Sequence, residues 1–190
     1  MKPQVVVVAG ASLHGKTTLA RKLAERLGYF HQEIDELRVK VFGYKNLLRP
    51  NPAFVDLTSL HTDRRERRAQ DYMILGMIEG FLEVGEFLVV SGMFGEEKIR
   101  RRVRIVADRT HADVKMIHCV MPGVTREEIE RRIASAPPFG TKFNVRQPVT
   151  WEQYLWARDQ MQKFREPHLV LDTMQPLDKC VRAALAYIRS

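Results

Sequence analysis

Residues 4–28 read QVVVVAGASLHGKTTLARKLAERLG: an apolar run, two glycines separated by four residues, a lysine, two threonines and then a helical repeat. No other stretch restricts the fold so strongly. Four consecutive valines show no alternation of wet and dry faces, so this strand needs cover on both sides. That requirement implies a parallel sheet between helical layers. Leu19, Leu23 and Leu27 then recur on one side of a helix that Gly28 stops. Between strand and helix, Gly10, Gly15, Lys16 and Thr17 complete G-x-x-x-x-G-K-T in its proper setting. The glycines permit backbone angles that turn consecutive N–H groups onto phosphate oxygens. The helix contributes its positive N-terminal end. Lys16 supplies a point charge, and the Thr17 hydroxyl is an Mg²⁺ ligand. Gly10, Ala11, Ser12, Leu13, His14, Gly15, Lys16, Thr17 and Thr18 are therefore expected to hold a nucleoside triphosphate, with His14 as a solvent-facing filler.

Alternation of apolar runs and amphipathic stretches continues along all 190 residues. Further strands are expected at 29–34, 86–92, 114–121 and 168–173, and helices near 63–83, 96–109, 125–133, 150–164 and 176–189. Thr125 with Glu128, and Thr150 with Gln153, have capping-box spacing that marks two helix starts. In 96–109, Ile99, Val103 and Val106 should point inward and the arginines outward. In 150–164, Trp151, Tyr154 and Leu155 read as core. The expected fold is an α/β, three-layer P-loop domain spanning 1–190, with a five-stranded parallel sheet. The Pro/Gly/basic break over approximately 134–150 is expected to form a short lid.

Composition narrows the class. Apolar residues make up 45% and charged residues 28%, as in globular chains rather than disordered ones. No apolar run approaches a membrane span, and Cys119 and Cys180 give no disulfide framework, so a soluble cytoplasmic protein is expected. A net charge of +8, with arginines bunched at 63–68 and 98–104, favours anionic partners. Nucleic acid is possible on that ground without being favoured, and the oligomeric state stays open. The scattered histidines have no metal-ligand spacing.

A P-loop alone does not separate switches, motors and kinases. The next signal is EIDELR at 33–38. At the end of the second strand, Asp35 faces the γ-phosphate and suits a base for an attacking hydroxyl, a water-mediated Mg²⁺ contact, or a helix cap. Arg38 lies about one turn further and suits an anionic part of the acceptor. Asp172 and Thr173 follow the fifth strand.

With these motifs the chain resembles small P-loop kinases of the zeta toxin, chloramphenicol phosphotransferase and polynucleotide kinase group, a nucleoside monophosphate kinase-like fold. The resemblance covers nearly the whole length, through GASLHGKTTLARKLAERLG, EIDELR, GEFLVVSGMF, HCVMPGVTREEIERRI and FREPHLVLDTMQPLDKCVRAALAYI. It implies γ-phosphate transfer from ATP, with Mg²⁺, to a hydroxyl of a small molecule, sugar or nucleic-acid end. It implies that Asp35 is the catalytic aspartate, and that Arg132 matches the first of two lid arginines. Two departures stand out. Ser91 occupies a third-strand position where such kinases often carry an aspartate, and Ala136 replaces the second lid arginine, leaving Lys142 or Arg146 as substitutes. The alternative class is a nucleotide-binding regulatory or nucleic-acid-associated protein that transfers nothing.

Overall fold

The computed structural model describes residues 2–37, 64–135 and 150–190. Five strands form one all-parallel sheet: β1 (Gln4–Ala9), β2 (Phe30–Glu33), β3 (Phe87–Gly92), β4 (Asp113–Val120) and β5 (Leu169–Asp172), in the order β2-β3-β1-β4-β5. Between them run α1 (Lys16–Leu27), α2 (Arg64–Glu83), α3 (Glu97–Arg109), α4 (Arg126–Ser135), α5 (Trp151–Asp159) and α6 (Leu177–Arg189). A further helical turn opens at 34–37. The expected α/β architecture is the observed one. Among the described residues no helix is long and apolar enough to cross a membrane.

β1 is central, which explains its composition. Val5 and Val7 pack with Ile74, Ile78 and Leu82 of α2 and Ile99 and Val103 of α3. Val6 and Val8 pack on the opposite face with Leu19 and Leu23 of α1 and Val181, Ala184 and Ile188 of α6. With no solvent on either face, every position from Val5 to Ala9 is apolar. β-Branched side chains suit the pleat, and full burial of each stabilises by about 1.5–3 kcal/mol. A third cluster sits above the sheet. Met121, Ile129 of α4 and Tyr154 of α5 are buried together, with Leu13 of the glycine-rich loop, Trp151 and Leu155 against them. The core reading of Trp151, Tyr154 and Leu155 holds.

Two local expectations need correction. The helix expected over 150–164 ends at Asp159, with Gln160 as its cap. From there tertiary partners replace the helical ladder. The Gln162 N–H donates to the Gly95 carbonyl at 2.9 Å, and the carbonyls of Gln162 and Lys163 accept from Arg100. Nor do all α3 arginines face water, for Arg100 is completely buried. The lid expectation falls mostly on 136–149, outside the described residues, as do Arg38, Ala136, Lys142 and Arg146.

Gly28 caps α1 at φ 71°, a left-handed conformation that side chains resist. Gly76, inside α2, has open space where a Cβ would stand and ordinary helical angles. The same substitution should therefore act in opposite directions. Gly28→Ala is expected to cost about 1 kcal/mol, and Gly76→Ala to add about 0.5–1 kcal/mol. Urea denaturation of the two variants reads the signs directly, and equal signs would refute the backbone explanation.

Candidate active site

The glycine-rich loop leaves the C-terminal end of β1, the middle of the sheet, where open parallel sheets bind ligands. At Gly10 a Cβ would lie 2.6 Å from the Cys119 carbonyl oxygen, and the backbone has φ 151°. Only glycine allows β1 to pass so close to β4. The Gly10 N–H donates to the Met93 carbonyl at 3.3 Å, tying the loop to the turn after β3. Leu13 adopts φ 67° despite its side chain. Gly15, at φ 68°, starts α1 with no side-chain cap, and the first turn contains no acid. The amide donors and the positive end of α1 thus meet no carboxylate of their own first turn.

Lys16 reaches back to the Ala11 carbonyl, with Nζ donating at 2.6 Å. Burial holds its ammonium below the ordinary lysine range, while Asp35 and Glu33 pull the other way. Both carboxylates are therefore near enough to act on the Lys16 charge. The Thr17 hydroxyl donates to Glu33 Oε1 at 2.7 Å, and Arg21 lies 3.6 Å from Glu33 Oε2. Burial raises the Glu33 pKa, and Asp35 adds to the effect.

Glu33 was not singled out from the sequence, although it precedes Asp35 by two positions at the end of β2. It stands opposite Ser91 in the β2–β3 register. Ser91 is buried, and its Oγ lies 3.1 Å from Nε2 of His31. The carboxylate beside Thr17 comes from the second strand, and the third strand contributes a hydroxyl paired with a histidine.

His14 corrects the sequence reading most clearly. Far from facing solvent, it is 5% exposed. Its Nδ1 lies 2.9 Å from the Cys119 carbonyl and its Nε2 3.1 Å from the Tyr154 hydroxyl. A carbonyl can only accept, so Nδ1 carries the proton and Nε2 accepts from Tyr154. Burial lowers the His14 pKa from 6.5 to about 4, with Lys16 and Arg132 adding to the effect against the Cys119 hydrogen bond. It is neutral at pH 7.

Arg132, which the resemblance matched to a lid arginine, is tied both to its own helix and to the glycine-rich loop. Its Nε donates to Glu128 at 2.6 Å and Nη1 to the Leu13 carbonyl at 2.8 Å, while Nη2 lies 3.7 Å from Met174 Sδ. It is held by an ion pair and touches the loop at once. Thr173 packs near Gly15, its Cβ 3.8 Å from where a Gly15 Cβ would be, and its hydroxyl donates to the Val120 carbonyl. Asp172 accepts from the Met174 N–H and from Gln175, which orders this turn.

A family model described as an AAA domain matches residues 5–166. The chain belongs to the AAA domain family. No curated protein matches its sequence. Several solved structures share the fold of this AAA domain protein. A sugar kinase from Janibacter sp. HTCC2649 superposes with a TM-score of 0.69 at 18% identity, over 100% of this chain and 95% of its own. A gluconokinase from Sinorhizobium meliloti 1021 gives 0.64 at 21%, over 99% and 92%. The Mycobacterium tuberculosis APS kinase in complex with AMPPNP and APS gives 0.65 at 17%, over 100% and 99%.

The neutral histidine has a thermodynamic signature. The unfolded chain takes up the proton near 6.5, whereas His14 in the folded state resists until about 4. The unfolded state therefore binds more protons in that window, and stability falls as pH drops from 6.5 to 4. The His14 contribution is on the order of 3 kcal/mol across the window. His118, also lowered to about 4 by burial, His168 and Arg100, adds in the same direction. Urea midpoints between pH 7 and 4 should fall less steeply for His14→Gln than for the unaltered protein. Parallel slopes would remove His14 from the explanation.

Proposed function

We propose that this protein transfers the γ-phosphate of ATP to a hydroxyl group of a small molecule, sugar or nucleotide end. The observation that carries the reading is the convergence of Lys16, Thr17, Glu33 and the influence of Asp35 at the C-terminal edge of the sheet. A nucleotide switch needs the loop and its metal ligands. A second carboxylate, Asp35, near enough to act on the lysine, suits a base for an acceptor hydroxyl. The folds shared with a sugar kinase, a gluconokinase and an APS kinase support the same class. The finer grouping with zeta toxin, chloramphenicol phosphotransferase and polynucleotide kinase rests on the sequence motifs, GASLHGKTTLARKLAERLG and EIDELR foremost, and in that reading Arg38 holds an anionic part of the acceptor.

In this reading the loop from Gly10 to Thr18 binds the triphosphate through backbone N–H groups and the start of α1. Lys16 leaves the Ala11 carbonyl for the transferred phosphoryl group, whose charge grows on its outer oxygens. The donors beside the phosphates suit Mg²⁺, since the Thr17 hydroxyl and the Glu33 carboxylate are hard oxygen ligands already in contact. Bound there, the ion would neutralise phosphate charge. Asp35 orients the acceptor hydroxyl and takes its proton. Arg132, held by Glu128 against the Leu13 carbonyl, brings positive charge to the outer side of the loop.

Lys16→Ala should lower ATP turnover by at least about a hundredfold in a folded protein. Asp35→Asn should lower transfer by about 10²–10⁴-fold and leave ADP affinity nearly unchanged. Both are measured against a panel of sugars, nucleosides, aminoglycoside and phenicol antibiotics, and 5′-hydroxyl oligonucleotides. Full transfer by Asp35→Asn would make the aspartate a helix cap. Tight ADP binding with no acceptor phosphorylated by the unaltered protein would favour the regulatory nucleotide-binding class.

A further inference from the structure

Arg100, the fourth residue of α3, has no place in the chemistry above. It is nevertheless among the most completely buried side chains described, at 0% exposure. Its hydrogen-bonding capacity is fully used. Nε donates to Glu166 at 2.6 Å. Nη1 donates to the carbonyls of Phe94 at 2.9 Å and Gly95 at 3.0 Å, and Nη2 to those of Gln162 at 3.4 Å and Lys163 at 2.9 Å. The guanidinium carbon sits 3.9 Å from the centre of the Phe164 ring. That ring also stacks on His118 at 4.3 Å and 11°, so it is held between the two.

The bonds converge on one turn. Residues 93–95 follow β3, which lies between β1, the source of the phosphate loop, and β2, which leads to Asp35. Each carbonyl of the turn is engaged. Met93 accepts from Gly10, Phe94 from Arg100, and Gly95 from both Arg100 and Gln162. The Gln162 side chain in turn accepts from the Glu97 N–H at 2.7 Å, at the start of α3. Phe94 has φ 43°, a conformation that a bulky side chain adopts only when its surroundings impose it.

Stability alone is a poor reason for such a group. A buried ion pair is often matched or exceeded by apolar residues of equal volume, because desolvating two charges offsets their attraction. What a guanidinium supplies and an apolar side chain does not is direction, a rigid fork aimed at several acceptors. We propose that Arg100 is a positioning residue for phosphoryl transfer. It holds the Met93–Gly95 turn as a fixed wall of the space between the phosphate loop and Asp35. The functional half of this proposal rests on the kinase reading; the structural half does not.

The test uses the double variant Arg100→Met/Glu166→Leu, which removes both buried charges together, and Arg100→Lys, which keeps the charge but lacks the planar fork. Amide exchange at residues 94–96 should rise about tenfold or more in the folded double variant, with α1 exchange unchanged. ADP affinity, measured by calorimetry, should stay within about threefold. For an acceptor phosphorylated in the panel, KM for that acceptor should rise about tenfold while KM for ATP holds. Arg100→Lys should move the same quantities in the same direction by less.

Unchanged exchange at 94–96 in either folded variant would overturn the proposal. So would acceptor KM and ADP affinity weakening in parallel, the pattern of general destabilisation. If the double variant does not fold, Arg100→Lys decides on the same readouts. If the unaltered protein binds ADP but phosphorylates nothing, the kinase reading fails, and exchange at 94–96 still decides whether Arg100 fixes the turn.

Discussion

A loop that is to receive phosphate must keep most of its own amide donors available, so folding those donors back on itself can supply little of its stability. Its shape has to be held by everything else. Here that constraint is met by side chains and carbonyls. Lys16 and Arg132 take the carbonyls of Ala11 and Leu13, and the Leu13 side chain is packed beneath α4 and α5. His14 is fixed through both ring nitrogens, to β4 on one side and α5 on the other. Gly10 abuts Cys119 and is bonded to Met93. β4, α4, α5 and the turn after β3 therefore each have a contact with the loop that leaves the amides of Ser12 to Thr18 alone, and the His14 N–H turns back to the Ala11 carbonyl at 3.4 Å.

The parts of the structure legible in the sequence are those with local causes. Four valines in a row demand cover on both faces wherever they occur, and the loop motif is a short-range pattern of backbone needs. Thr150 caps α5 by accepting from the Gln153 N–H, three residues away, as its spacing promised. The misses share a different cause. His14 is buried because of Tyr154, 140 positions later, and Arg100 because of carbonyls more than sixty positions away. In a helical repeat Arg100 looks like one arginine of a wet face. In the sequence Glu33 is only one acid of EIDELR, whose Asp35 better fits the kinase pattern. What marks Glu33 is its contact with Thr17, which depends on how β2 is laid beside α1. α5 ends early for the same reason, since partners on another element take its backbone groups.

The segment from α5 to β5 gains significance from these contacts. At one end Tyr154 meets the phosphate loop through His14. At the other, Gln162, Lys163 and Glu166 meet the post-β3 turn through Arg100. One short length of chain is thus attached to both sides of the proposed reaction space, by neutral hydrogen bonds at the nucleotide side and by a buried cation at the acceptor side. The folds shared with kinases of sugars, gluconate and APS at 17–21% identity show how far side chains diverge on this backbone.

The His14–Tyr154 contact also restricts how this sequence can drift. Replacing the tyrosine alone strands a buried imidazole nitrogen, and replacing the histidine alone strands a buried hydroxyl and the Cys119 carbonyl. Either single step passes through a state with an unpaired polar group, at a penalty of about 1–3 kcal/mol. Positions 14 and 154, far apart in the chain, are therefore energetically dependent on each other. A lineage can abandon the pair only by changing both within a short interval, or by first acquiring stability elsewhere to tolerate the intermediate.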